Sequence, residues 1–264
     1  MTGLLAYFLA LFVGISLGLI GSGGSILSVP ILVYILHIEP VLATAYSLFV
    51  VGSTALVGGV QKSAQNLVDF KKVFLFGIPT VCGVFLMRFF VVPKIPNTIY
   101  FTTSFSASKS ILILIVFAIV MVFAALRMIV PLKVNPNQDV AVSYPKIALQ
   151  GLLIGCLAGF VGAGGGFLII PALLLYAKTP MKIAIGTSLF IVAFQSLLGF
   201  LGDFESYQKM NWSLLLKFTS CAIIGLFIGN AIAKKIDGEK LKKGFGYFVL
   251  LMGIYIIIKE IFLS

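Results

Sequence analysis

The sequence has little charge for its length. Charged residues make up 10% of the 264 residues, whereas hydrophobic residues make up 60%. So few polar groups cannot cover the surface of a water-soluble domain of this size. The composition therefore predicts an integral membrane protein with many spans, in contact with the lipid bilayer.

The sequence also lacks the residues of common catalytic and metal sites. His37 is its single histidine, and Cys82, Cys156 and Cys221 stand far apart inside apolar segments. Neither a His-Glu-x-x-His nor a Gly-x-Ser-x-Gly motif occurs. We therefore expect no catalytic residue, no metal, no cofactor and no enzymatic activity.

The net charge of +11 does not indicate a nucleic-acid partner. The basic residues lie between apolar runs, where they set the topology of a membrane protein. Ten apolar segments are predicted, and the second and seventh are too short to cross about 30 Å of hydrocarbon. The segments cover approximately 3–20, 25–36, 41–60, 71–92, 109–130, 146–161, 166–177, 182–202, 212–233 and 244–262.

The distribution of basic residues predicts the orientation. With ten crossings, thirteen of the 19 lysines and arginines fall on one side, which we assign to the cytoplasm. Both termini are then external. If the two short segments fold back as re-entrant pieces, leaving eight crossings, the basic residues divide almost evenly.

A glycine-rich stretch occurs twice. Residues 18–25, Gly-Leu-Ile-Gly-Ser-Gly-Gly-Ser, are followed by Pro30, and residues 159–166, Gly-Phe-Val-Gly-Ala-Gly-Gly-Gly, by Pro171. The offset is 141 positions, and it also places Ser47 on Ser188. The chain is therefore an internal duplication.

The duplication defines the domain organisation. The first transmembrane repeat covers residues 1–132, a cytoplasmic linker covers 133–145, and the second repeat covers 146–264. Because each repeat has five elements, the second enters the membrane inverted relative to the first. The predicted fold class is an all-α polytopic membrane protein with two inverted-topology repeats and a Gly-rich broken helix in each, as in many secondary transporters.

The glycine stretches predict a substrate site. A helix that starts inside the membrane, at Gly24 or Gly165, directs free N–H groups and its positive dipole end towards a ligand. Two such ends from inverted repeats would meet near the midplane and suit a small oxyanion. Close helix packing is the simpler explanation of such glycines. The predicted substrate-binding residues are Ser22, Gly23, Gly24, Ser25, Ser47, Ala163, Gly164, Gly165, Gly166, Thr187, Ser188 and Gln195.

These motifs resemble the sulfite exporter TauE/SafE family. The resemblance rests on both glycine stretches with their prolines, on Ser-Leu-Phe at 47–49 and 188–190, and on the turn Val-Asp-Phe at 68–70. It implies a transporter of sulfite or a small organosulfonate such as sulfoacetate, usually an exporter in the bacterial inner membrane. The chain departs from the pattern at Ala163, which replaces a serine, and at Asn211, which replaces an acid.

Several alternatives remain open. An importer of sulfate or thiosulfate would have much the same sequence, and a non-transporting membrane scaffold is the alternative from another class. Arg88 is expected either to snorkel or to attract an entering anion. Residues 93–108 are expected to lie at the external interface or to re-enter the membrane. The segment 109–130 would face lipid or a second copy, and a homodimer is the expected oligomer.

Overall fold

The computed structural model describes residues 2–96, 98–102, 105–130, 144–161, 166–175, 179–202 and 210–262. Each of the ten predicted apolar segments corresponds to a helical element. The first repeat comprises α1 (Thr2–Ile20), a composite helix α2, α3 (Pro40–Ser63), α4 (Phe70–Leu86) and α5 (Lys109–Ile129). The second comprises α6 (Tyr144–Val161), α7 (Gly166–Leu175), α8 (Met181–Leu201), α9 (Trp212–Ala233) and α10 (Gly238–Phe262).

The helices have the length and surface of membrane spans. Within the described residues, four helices are long and apolar enough to cross a bilayer: Pro40–Ser63, Phe70–Lys94, Met181–Leu201 and Trp212–Ala233. Large apolar side chains lie exposed on the outer faces, including Phe74 and Leu251, whereas many serines and threonines are buried. This distribution, apolar outside and polar inside, is that of a multi-pass membrane protein.

The composite helix α2 differs from the prediction that a helix starts at Gly24. Helical structure continues directly from α1 as a 3₁₀ segment, Gly21–Leu27, followed by an α-turn, Ser28–Pro30, and a π-helical segment, Ile31–Ile35. The backbone departs from regular helical geometry at Gly21, where φ is +70°. Only glycine adopts this conformation without a steric penalty.

Two helix pairs connect the halves through glycines. α1 packs along α9, and α6 packs along α4. A Cβ atom added at Gly225 would lie 2.1 Å from the carbonyl oxygen of Leu11, and one at Gly155 would lie 2.1 Å from that of Thr80. Backbones this close require residues without side chains at the interface. In each pair, residues further along one helix contact residues further along the other, so the two helices run parallel.

The centre of the molecule is formed by α3 and α8, which pack against each other. Gly52 faces Leu197, and Gly59 faces Phe190, so these two helices run antiparallel. α5 packs along α10. Every one of these four pairs joins an element of the first repeat to an element of the second.

A short antiparallel hairpin precedes α5, and it is the departure from the all-helical prediction. Strand β1 (Thr98–Thr102) pairs with β2 (Phe105–Ser108), with Thr98 opposite Ser108. The hairpin occupies most of the polar connection at 93–108. Its ladder pairs the backbone groups of each strand that face the other strand, without a helix.

Candidate functional site

The two glycine-rich stretches are in direct contact. The hydroxyl of Ser22 donates a hydrogen bond to the carbonyl oxygen of Gly166 at 2.7 Å. A Cβ atom at Gly166 would lie 2.4 Å from Cβ of Ser22, so glycine is required for this approach. The contact joins the start of α2 to the start of α7, as expected if the two stretches meet.

The first glycine of each stretch serves helix packing instead. A Cβ atom at Gly18 would lie 2.3 Å from the carbonyl oxygen of Leu226, and one at Gly159 would lie 2.7 Å from that of Val84. These glycines therefore hold α1 against α9 and α6 against α4. Helix packing therefore explains the first glycine of each stretch. The contact between the two stretches, Ser22 with Gly166, lies further along them.

Most of the predicted hydroxyl groups already have partners. Ser25 donates to the carbonyl oxygen of Ser22 at 2.9 Å, and Ser188 donates to that of Ile185 at 2.9 Å. Such bonds to the preceding turn are the usual state of serine in a membrane helix. The hydroxyl of Ser47 bonds that of Ser28.

Thr187 holds a turn. Its hydroxyl oxygen accepts a hydrogen bond from the Asp69 N–H at 3.0 Å, which ties the start of α4 to α8. At the equivalent place in the other half, the hydroxyl of Tyr46 accepts a bond from the Asn211 N–H at 2.5 Å. In the first bond the N–H belongs to the first repeat and the acceptor to the second, and in the other bond the order is reversed.

Gln195 is fully buried on α8, and its amide is unsatisfied. Neither its nitrogen nor its oxygen has a hydrogen-bond partner in the part of the chain that the structure describes. The adjacent hydroxyl of Ser196 is also buried and unpaired within the described ranges. A buried amide or hydroxyl without a partner costs about 1–3 kcal/mol, so each such group needs a partner from outside the described chain, such as a ligand or a water molecule.

The packing of α7 and α8 places Gln195 beside the second glycine stretch. The chain turns back after α7, where the Thr179 N–H donates to the carbonyl oxygen of Leu173 at 3.1 Å. At the other end of α7, Val192 lies against Gly166. Gln195 is one turn beyond Val192, about 4.5 Å further along α8. Its amide is therefore level with the N-terminal end of α7.

Thr54 is the corresponding group in the first repeat, because 141 positions separate it from Gln195. It is fully buried on α3, and its hydroxyl has no partner among the described residues. Thr54 lies two turns from Ser47, on the same face, and Ser47 contacts Ser28. Since α2 and α3 run antiparallel, Thr54 is level with the glycines of α2.

The remaining predicted residues lie in the two glycine stretches and at the end of α4, and the structure describes only some of them. Ala163, Gly164 and Gly165 fall in the gap at residues 162–165. Gly23 and Gly24 belong to the 3₁₀ segment of α2. Arg88 lies in a π-helical continuation of α4, Met87–Val91, and its side chain is not described.

Sequence reasoning gave no site role to Thr54 or Ser196, nor to Lys62 at the end of α3. The offset of 141 would have identified Thr54, since it pairs this residue with Gln195. Lys62 was used only as a topology signal. Within the described ranges, no group of His, Cys, Asp and Glu side chains could hold a metal ion.

Comparison with known proteins agrees with this architecture. The family described as Sulfite exporter TauE/SafE matches residues 6–256. A "Probable membrane transporter protein" of Xylella fastidiosa strain Temecula1 is 29% identical over 257 residues, covering 93% of this chain and 91% of the relative. The "Probable membrane transporter protein YunE" of Bacillus subtilis is 28% identical over 279 residues, covering 96% and 97%. No solved structure matches the chain.

The family match covers nearly every helix described above, including both glycine-rich stretches and the helices that carry Thr54 and Gln195. The duplicated motifs and the multi-pass architecture agree with it. The chain belongs to the sulfite exporter TauE/SafE family of membrane proteins.

Proposed function

We propose that this protein is a secondary transporter that exports sulfite or a small organosulfonate, such as sulfoacetate, across the inner membrane. The anion binds where the two glycine-rich stretches meet. The observation that carries this proposal is the pair of buried, unsatisfied side chains at equivalent positions, Thr54 and Gln195. Each lies level with the glycine stretch of its own repeat.

The chemistry of these groups suits an oxyanion. The Gln195 amide offers two N–H donors, and the Thr54 hydroxyl offers one more. The N-terminus of α7, at Gly166, adds backbone N–H groups and the positive end of a helix dipole. A binding site built from neutral donors can release its ligand readily, as a transporter requires. A scaffold without a ligand would have no use for unsatisfied polar groups at this depth.

Alternating access is supported by the pairing of the two halves. α3 and α8 occupy equivalent places in the duplication and run antiparallel. A two-fold axis along the membrane normal would leave equivalent helices parallel, whereas an axis in the membrane plane reverses one of them. The antiparallel pair is therefore what inverted repeats produce, and rocking of such repeats exposes a central site to each side in turn.

Transport by purified protein in liposomes tests the proposal. Thr54→Val and Gln195→Leu remove the unpaired groups and keep similar side-chain volumes. We expect KM for ³⁵S-sulfite to rise about 10–100-fold in each variant, since a hydrogen bond to a charged group contributes about 1.5–3 kcal/mol. Both variants should be at least as heat-stable as the parent protein, because each loses an unsatisfied buried group.

Thr219→Val is the matched control. Thr219 is a buried threonine on α9 whose hydroxyl donates to the carbonyl oxygen of Leu215 at 2.8 Å. It should leave KM unchanged. Equal KM values in all three variants would move the binding site away from Thr54 and Gln195. No uptake of sulfite, sulfoacetate or taurine by the parent protein would reject the proposed substrate class.

A further inference from the structure

A cavity of about 530 Å³ opens at one end of the helix bundle. Its walls come from the end of α1, the end of α3 with the following turn, the start of α8, and the connection between α9 and α10. Three lysines line it, Lys62, Lys182 and Lys234, together with Asp237 and Glu239. It lies apart from Thr54 and Gln195, neither of which lines it.

Lys62 is the side chain that distinguishes this cavity. It is 9% exposed, and no other charged side chain in the described part of the chain is buried. Lys182, Lys234 and both carboxylates are exposed and form the rim. No carboxylate among the described residues pairs with Lys62. A lysine that is 9% exposed and has no carboxylate partner is unusual, because long charged side chains are rarely buried unless they are paired.

The protein fixes Lys62 in place. Lys62 is in the last turn of α3, where its carbonyl oxygen accepts a bond from the Leu67 N–H at 3.0 Å. A Cβ atom at Gly186 of α8 would lie 3.1 Å from Cβ of Lys62 and 2.1 Å from the carbonyl oxygen of Leu67. The turn after α3 and the first carbon of the Lys62 side chain thus both pack directly against α8.

The inner wall of the cavity includes the start of the first glycine stretch. Gly18 and Leu19, the first two residues of that stretch, line the cavity together with Ile185. Ile185 also lies against Gly21, the glycine with positive φ. A ligand held by Lys62 would therefore lie beside the first residues of the glycine stretch, and Ile185 would separate it from Gly21.

We propose that this cavity is a second anion-binding site, in which the Lys62 ammonium pairs with a small sulfur oxyanion before it reaches the site where the two glycine stretches meet. This inference rests on the transport function proposed above. We expect an anion as the occupant because the one buried charged side chain among the described residues, Lys62, is positive. The two carboxylates that line the cavity are exposed at its rim and not buried beside Lys62. A metal cation would meet three lysines and no buried acid.

Binding of sulfite and sulfoacetate to the purified protein tests this site, with calorimetry in gluconate buffer. Lys62→Gln and Lys62→Met should each weaken binding at least tenfold, whereas Lys62→Arg, which keeps the charge, should stay within threefold. Lys235→Gln is the matched control. It removes the same charge from an exposed lysine next to Lys234 that does not line the cavity, and it should bind as the parent protein does.

Thermal unfolding without sulfite separates a binding role from a structural one. Lys62→Met removes an unpaired buried charge and should therefore raise the melting temperature. A lower melting temperature, unchanged binding in Lys62→Gln, or failure of Lys62→Arg to retain binding would each overturn the inference. If Lys62→Gln binds normally while Gln195→Leu does not, the proposed function stands without this second site. If the parent protein binds neither anion, both proposals fall.

Discussion

Asp69 and Asn211 have the same local role, although one is an acid and the other an amide. Each is the N-cap of a helix: Asp69 accepts a bond from the Lys72 N–H at 3.2 Å, and Asn211 from the Leu214 N–H at 3.1 Å. An oxygen in this position satisfies one of the free N–H groups of the first turn. The replacement of the acid at Asn211 therefore preserves the cap.

This equivalence predicts the effect of two substitutions at Asp69. Asp69→Asn should unfold at nearly the temperature of the parent protein, because the amide oxygen keeps the cap. Asp69→Ala should lose about 1 kcal/mol, or about 2–4 °C in melting temperature. Thermal unfolding in detergent measures both. An equal loss in the two variants would assign the stabilisation to the ion pair with Lys72, 3.2 Å away, instead of to the cap.

The residues of the candidate site were only partly predictable. Gln195 was predicted as one of the polar side chains inside the third apolar segment of the second repeat. Thr54 was not, because threonine in a membrane helix usually bonds its own helix, as Thr80 does here at 2.6 Å. Which hydroxyl stays unpaired depends on the neighbouring helices, and a single sequence does not give those neighbours.

At the scale of helices, the glycines of α1, α4, α6 and α9 are the main determinants of packing. Gly225 faces the carbonyl oxygen of Leu11, and Gly229 faces that of Ile15. The hydrophobic effect does not drive helices together within lipid, so close contact between backbones must supply the attraction.

Gly225→Ala is therefore expected to be destabilising. The added methyl carbon would lie 2.1 Å from a backbone oxygen, and overpacking of this kind costs about 1–3 kcal/mol. The melting temperature in detergent should fall by several degrees. Gly244→Ala on α10 is the control, because its Cβ would meet no atom within 4 Å. Similar melting temperatures for both variants would contradict the close approach of α1 to α9.

The helical segments themselves were well predicted, because long apolar runs end at polar connections. The 3₁₀ form of Gly21–Leu27 was not, since glycine imposes no backbone preference from which helix could be distinguished from a break. The sequence also did not predict which helix packs against which. The small residues of α1 mark an interface, but they do not indicate that α9 lies against it.

At the scale of the whole molecule, the lysine-lined cavity bears on the number of crossings. The end of α3, the start of α8 and the end of α9 meet around it, so they lie on one side of the membrane. Ten crossings place four elements between the end of α3 and the start of α8, which returns the chain to the same side. With eight crossings, only three spanning elements would lie between the end of α3 and the start of α8, and these two ends would be on opposite sides of the membrane. The cavity thus supports ten.

Reporter fusions test this topology in cells. Fluorescent-protein fusions after Asn66, Gln138 and Lys235 should all fluoresce, and alkaline phosphatase fused at these positions should be inactive, because ten crossings place all three in the cytoplasm. Phosphatase fused after Ser264 should be active, because the C-terminus is then external. With eight crossings, Lys235 would lie on the opposite side from Asn66 and Gln138. Active phosphatase at one or two of these three positions would therefore reject the arrangement in which the two repeats are inverted. Active phosphatase at all three would keep the inverted repeats and reverse the predicted orientation.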